Sequence, residues 1–174
     1  MKRALTLFLA VLMLVMSIPV HFAVSAADAV VYVNADNGSD DNKGTTPDSP
    51  FKTLEKAITA VAESGGRIVL TSDVALTGSV KEQYVEPQHK GTVIITAKDG
   101  DKDYGTTLKL QGAMVYALNG PTEFEHLNIN TGSGNTVIAA RFKPLTMGEG
   151  LTMTAQNLYL VGGYESPAKN TPVQ

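Results

Sequence analysis

PDSPFKTLEKAITAVAESGGRIVL, residues Pro47 to Leu70, reads as a short helix that passes through a glycine turn into a buried strand. Phe51, Leu54, Ala57, Ile58 and Val61 recur at helical spacing and make one face apolar, while Lys52, Glu55, Lys56 and Glu63 lie mostly off it. Ser49-Pro50 and Thr53 both supply start chemistry, a hydroxyl for orphan N–H groups and a proline where no N–H is needed. Gly65-Gly66 is expected to stop the helix, because glycine accepts left-handed backbone at a C-cap. Arg67-Ile68-Val69-Leu70 then begins the first buried strand.

Working outward, YVNADNGSDDNKGTTPDSPFKTLEKAI, Tyr32 to Ile58, followed by GGRIVL, resembles the opening segment of secreted right-handed parallel β-helix proteins of the pectin-lyase-like class. The resemblance implies an order of parts: a strand, an Asn/Asp/Gly-rich loop, a Pro-Phe-Lys-Thr helix start, and an amphipathic helix leading into the first coil. It implies a fold and no single activity, since that opening fronts both enzymes and non-catalytic surface proteins.

Upstream, Met1 to Ala26 reads as a secretory signal peptide, with Lys2-Arg3 before an apolar run and Val24-Ser25-Ala26 before the cut. The alternative is a membrane anchor, since the uncharged run is long enough to span a bilayer; Ser17 and Pro19 break it and favour cleavage after Ala26. Cleavage removes two of 14 basic residues and none of 17 acidic ones, leaving 148 residues with formal charge −5. That is enough chain for one domain, and its acidity argues against nucleic acid or an anionic membrane as partner. With no cysteine, there are no disulfide staples and no thiolate chemistry.

Residues 27–66 are expected to form a strand (Ala29 to Asn34), an Asx/Gly loop and the cap helix, and 67–164 the coils. Apolar pulses starting at Ile68, Val93, Val115, Val137 and Leu158 recur every 21–25 residues, with a second series at Leu108, Leu127 and Leu151. Turn residues separate them, as at Thr77-Gly78-Ser79, Asp99-Gly100-Asp101 and Gly148-Glu149-Gly150. Short strands at a steady period suit a solenoid, since one coil cannot bury its own apolar face. A β-sandwich is the alternative, but few two-residue hairpin turns are visible. The expected fold is therefore all-β, a right-handed parallel β-helix with an N-terminal amphipathic capping helix. Such a stack ends in open strand edges, and Phe51, Leu54, Ile58 and Val61 would plug one end.

GPTEFEHLNIN (Gly120 to Asn130), RFKPLTMGEGLTMT (Arg141 to Thr154) and NLYLVGGY (Asn157 to Tyr164) resemble repeats of bacterial cell-surface β-helix proteins. That resemblance implies a structural corner at Pro144 to Gly150. The polar tail, 165–174, has no apolar pattern to cap a last coil, which suggests a sequence cut in mid-solenoid.

The class includes polysaccharide lyases, which need carboxylates from neighbouring coils, calcium and an Arg or Lys base. Asp36, Asp40 and Asp41, and again Asp99, Asp101 and Asp103, raise calcium, but neither spacing follows a calcium loop and both read as polar turns. Arg141 and Lys143, at i, i+2, read as the exposed face of a strand. Glu123 and Glu125 are about 7 Å apart by strand rise, within glycosidase range, yet share one element and read as a solvated face. His89 and His126 have no second His or Cys nearby for zinc. No G-x-S-x-G or phosphate-cradling motif occurs. Tyr116, Tyr159 and Tyr164 with Asn128, Asn130 and Asn157 could form a sugar-binding face, or else cover coil edges and stack in ladders. No catalytic, cofactor or metal residue is assigned, and no cofactor is expected, calcium being unsupported by ligand spacing. The expected role is an exported surface or extracellular domain, structural or glycan-binding, with polysaccharide or cell-wall glycan as partner. The alternative is the N-terminal part of a polysaccharide lyase or glycoside hydrolase whose catalytic coils lie beyond residue 174.

Overall fold

A computed structural model describes residues 29–76, 83–111 and 114–163. Residues 1–28, with the expected signal peptide, and Thr77-Gly78-Ser79, Tyr164 and the polar tail lie outside the described residues. Strand β1 (Val30–Val33) and helix α1 (Leu54–Ala60) precede the coils. The first coil is β2 (Gly66–Leu70), β3 (Val74–Leu76) and β4 (Gln83–Val85). The second opens with β5 (Val93–Thr96), inserts a hairpin of β6 (Lys98–Asp99) and β7 (Lys102–Asp103), and continues through β8 (Thr107–Leu110) and β9 (Val115–Ala117). The third is β10 (Thr122–Glu125), β11 (Asn128–Asn130) and β12 (Asn135–Ala139); the fourth is β13 (Leu145–Met147), β14 (Thr152–Thr154) and β15 (Asn157–Val161).

Each coil gives one strand to each of three sheets, ordered β1-β2-β5-β10-β13, β14-β11-β8-β3 and β15-β12-β9-β4. Every pairing in these sheets is parallel, and the hairpin β6–β7 is the one antiparallel pair among the described residues. The fold is all-β and solenoid-like, with little helix. Register stacks like on like: Val31, Ile68, Ile95, Phe124 and Met147 form one inward column. Val74, Leu108, Ile129 and Met153 form another, and Tyr84, Tyr116 and Ile138 a third, whose last-coil member, Leu160, is exposed. These columns meet in a single core. Burial of each large apolar side chain contributes roughly 1.5–3 kcal/mol.

The periodic series needs correction. Ile68 and Val93 lie in the first sheet, whereas Val115, Val137 and Leu158 lie in the third, so that series crosses two faces. Leu108, Leu127 and Leu151 do follow one sheet, within or just before β8, β11 and β14. The expected corner at Pro144 to Gly150 holds in part: Leu145–Met147 form β13, while the chain turns after it at Glu149-Gly150 (Gly150 φ 65°) and also before it at Arg141 and Phe142, both at positive φ (44° and 61°).

The helix is shorter than its apolar period suggested. Phe51 bridges to Val33 in extended backbone, Thr53 is the N-cap, and its hydroxyl accepts from the Lys56 N–H. Ala60 ends the helix, four turn residues follow, and Gly65 (φ 79°) then redirects the chain into β2. Phe51, Leu54, Ile58 and Val61 are all buried in the core. β1, β3 and β4 are the end strands of their sheets, and α1 sits beside all three, with Glu55 near Tyr84 and Leu54 near Val74.

Asp40 explains the acidic loop. Its carboxylate accepts from the N–H groups of Lys52 and Thr53 and from the Thr53 hydroxyl, at 2.9–3.0 Å, and so fixes the residue that caps the helix. Burial pushes its carboxyl up, but the hydrogen bonds from Thr53 and Lys52, with Lys56 nearby, hold it below the usual range.

A polar cluster is buried where the first three coils meet. Glu86, with a fully buried side chain, accepts from the Tyr116 hydroxyl at 2.7 Å, the Thr122 hydroxyl at 2.8 Å and the Asn119 N–H at 3.3 Å. His89 Nε2 lies 3.0 Å from the same carboxylate. Tyr84, Tyr116 and Phe124 extend the cluster as a run of ring contacts, centroids 4.9 and 5.6 Å apart.

Candidate functional site

On the first sheet, residues alternating with the inward column point outward: Tyr32, Arg67, Val69, Ile94, Glu123 and Glu125. The β6–β7 hairpin, turning at Gly100-Asp101, is anchored over this face by the Tyr32 hydroxyl, which donates to Asp99 at 2.8 Å. Burial, then the bond to Asp99, pushes the Tyr32 phenol up to about 12, so it stays a donor. Between hairpin and sheet lies a cleft of about 340 Å³ lined by Val30, Arg67, Lys98, Asp99, Gly100, Glu125, His126 and Glu149.

Its charges are held in pairs. Arg67 on β2 reaches Glu125 on β10, two ladder steps away, with side chains 33% and 15% exposed. His126 Nε2 meets Glu149 Oε1 at 3.0 Å. The imidazole is aimed by backbone: His126 takes φ 42°, its N–H donates to the Glu149 carbonyl at 2.7 Å, and its carbonyl accepts from Ala97. Gly150 makes room for the ring, since a Cβ there would lie 2.4 Å from Nδ1. Among the described residues Lys98 is in no ion pair, so its ammonium is open to a ligand.

The cleft brings together Asp99, Glu125 and His126, which sequence reasoning treated separately, and adds Arg67, Lys98 and Glu149, which it did not single out. Glu123 stands beside them on the same outward row, its carboxylate close to Gly148. Arg67 and Glu125 are 58 residues apart, so only strand register could have joined them.

Other candidates are dispersed. Asp103 closes its own turn by accepting from the Gly105 N–H at 2.8 Å, and Asp101 is exposed. Asp36 and Asp41 are exposed loop residues. Arg141 and Lys143, expected on a strand face, lie instead in the turn before β13. His89 belongs to the buried cluster. The sugar-binding face does not assemble: Tyr116 is fully buried, Asn128 and Asn130 are exposed on the second sheet, and Asn157 and Tyr159 are exposed on the third. Asn157 does stack on Asn135, forming a short ladder. Among the described residues, no three His, Asp or Glu side chains are grouped to hold a metal ion, and no helix is long and apolar enough to cross a membrane.

No protein-family model matches the chain, and no solved structure matches it. It is similar to the mitochondrial aconitate hydratase of Gracilaria gracilis, with 29% identity over 124 residues. The match covers 70% of this chain but spans only 15% of the length of that relative.

Proposed function

We propose that this protein is an exported, right-handed parallel β-helix of the pectin-lyase-like, bacterial cell-surface kind, which binds glycan at or outside the cell surface. Export rests on the Met1 to Ala26 pattern, and handedness on the resemblance of the Tyr32 to Leu70 segment. The parallel three-sheet stack supports the reading, and the cleft under the β6–β7 hairpin is the observation that carries it. Guanidinium, ammonium, imidazole and carboxylate groups alternate there at the scale of one or two sugar rings. Donors and acceptors held rigid by their own pairing suit hydroxyl-rich ligands, because little ordering remains to be done on binding. Arg67 and His126 are each engaged by a carboxylate, which favours binding over cleavage and leaves Lys98 as the candidate base in the cleft outside an ion pair.

The test is a panel of cell-wall and plant polysaccharides, measured by calorimetry against the secreted chain. A ligand is expected, and Arg67→Ala and Lys98→Ala should each weaken it by about tenfold, or ~1.4 kcal/mol. Binding to none of the panel, or equal affinity in both variants, contradicts the cleft as the site. The second reading, the N-terminal part of a polysaccharide lyase or glycoside hydrolase, draws on the same three carboxylates beside basic groups. Release of unsaturated uronide or reducing sugar by this chain would replace the first reading with the second.

A further inference from the structure

The buried cluster does more than fill the core. His89 Nδ1 lies 2.9 Å from the Gly91 carbonyl oxygen, which can only accept, so Nδ1 carries a proton. Its Nε2 faces Glu86 Oε2 at 3.0 Å, and that carboxylate already accepts from Tyr116, Thr122 and the Asn119 N–H. With two hydroxyls and a backbone N–H donating to it, the carboxylate faces Nε2 as an acceptor, so Nε2 also carries a proton. The imidazole ring is packed flat on the next turn, where a Cβ on Gly120 would lie 2.3–2.5 Å from its atoms.

We propose that His89, doubly protonated between Glu86 and Gly91, is a proton-held clasp that locks the cap to the coil stack and releases as the pH rises. The mechanical link is short. Residues 90 and 91, next to the ring, bond to the exit turn of the cap helix: the Lys90 N–H donates to the Ala62 carbonyl at 2.7 Å and the Gly91 N–H to the same carbonyl at 3.4 Å. Loss of the Nε2 proton leaves an imidazole lone pair against a buried carboxylate, which are two acceptors in contact. The strain falls on the 86–92 turn and so on the cap it holds.

The surrounding groups set the direction. Burial pulls the His89 pKa down, but the bonds to Glu86 and to the Gly91 carbonyl outweigh it and raise the pKa above 6.5, against a small opposing push from Lys143 on the turn before β13. Tyr84 on β4 and Tyr116 on β9 are pushed up by burial and by Glu86, with Glu55 on α1 adding to both, so they stay protonated across the range. Thr122 and the Asn119 N–H do not titrate. A raised folded pKa means the clasp's stabilisation is fully present below about 6.5 and is lost as pH passes upward through the folded value.

The test is long-range proton–nitrogen NMR of the His89 ring in the intact chain, assigned with His126→Gln, alongside melting at pH 6 to 9. Both ring nitrogens should be protonated at pH 6.5, with a titration midpoint above that of a free imidazole, and Tm should fall by several degrees toward pH 9. In His89→Gln that fall should shrink to the background slope. Protonation of Nδ1 alone at pH 6.5 would mean that the proton sits on Glu86, and would overturn the clasp. So would a midpoint below 6.5, or an unchanged pH slope in His89→Gln. If His89→Gln fails to fold, the ring protonation in the wild-type chain decides.

Discussion

Ile58→Asp is expected to abolish cooperative melting and to drive the chain into aggregates during expression or refolding. Ile58 is fully buried in the core beneath the cap, together with Phe51, Leu54 and Val61. A carboxylate there has no partner, and burying it costs several kcal/mol, against a total stability of about 5–15 kcal/mol for a typical domain. If the helix undocks, β1, β3 and β4 become open edges that can pair with another chain. Ile58→Val, which removes one methyl, should cost only about 0.5–1.5 kcal/mol and keep a sharp transition. A soluble Ile58→Asp protein with unchanged melting would show that the helix is not the plug.

The second large effect is expected at Glu86. Glu86→Leu removes the acceptor for the Tyr116 and Thr122 hydroxyls, the Asn119 N–H and the His89 ring in a site closed to solvent. Breaking a buried charge pair from one side costs about 3–5 kcal/mol, because the stranded partner stays buried. Tyr116→Phe, which deletes one donor and leaves the carboxylate, should cost about 1 kcal/mol. Urea unfolding of the three proteins measures both. A Glu86→Leu loss no greater than that of Tyr116→Phe would mean that the cluster relaxes or admits water.

The contrast between cap and cleft shows which parts of the molecule could be read in advance. The cap was legible because its signal is local: a 3.6-residue apolar period, a Thr53 N-cap, and glycines before a β-branched run. Its start was misplaced because Phe51 is apolar in phase with the helix yet lies in extended backbone bridged to Val33. The coils were legible as pulses but not as faces. β10 presents Thr122, Glu123 and Glu125 around a single large core residue, Phe124, and β13 is three residues long with Leu145 and Met147 only partly buried, so their apolar signal is thin. The β6–β7 hairpin also stretches the second coil and breaks the period. The cleft was hidden for a related reason. Its pairs join residues from different coils, and a one-residue change of register would send Arg67 inward and Ile68 outward. The Glu86–His89 pair is local in sequence, at i, i+3, but what makes it matter is Tyr116 and Thr122 arriving from the next two coils.

Everything above depends on one strand per coil entering each of three parallel sheets in the stated register. Because the chain has no cysteine, that register can be tested by introducing cysteine pairs one sheet at a time. Ile94→Cys with Glu123→Cys tests the first sheet, Thr107→Cys with Asn128→Cys the second, and Asn135→Cys with Asn157→Cys the third. Neighbouring strands lie about 4.8 Å apart, within disulfide reach, whereas a pair offset by two residues does not. All three pairs are expected to close under mild oxidation, and Asn135→Cys with Tyr159→Cys, two residues out of step, is expected to stay reduced. Failure of the in-register pairs, or equal closure of the offset pair, would contradict the stacked-coil fold and the cleft and clasp built on it.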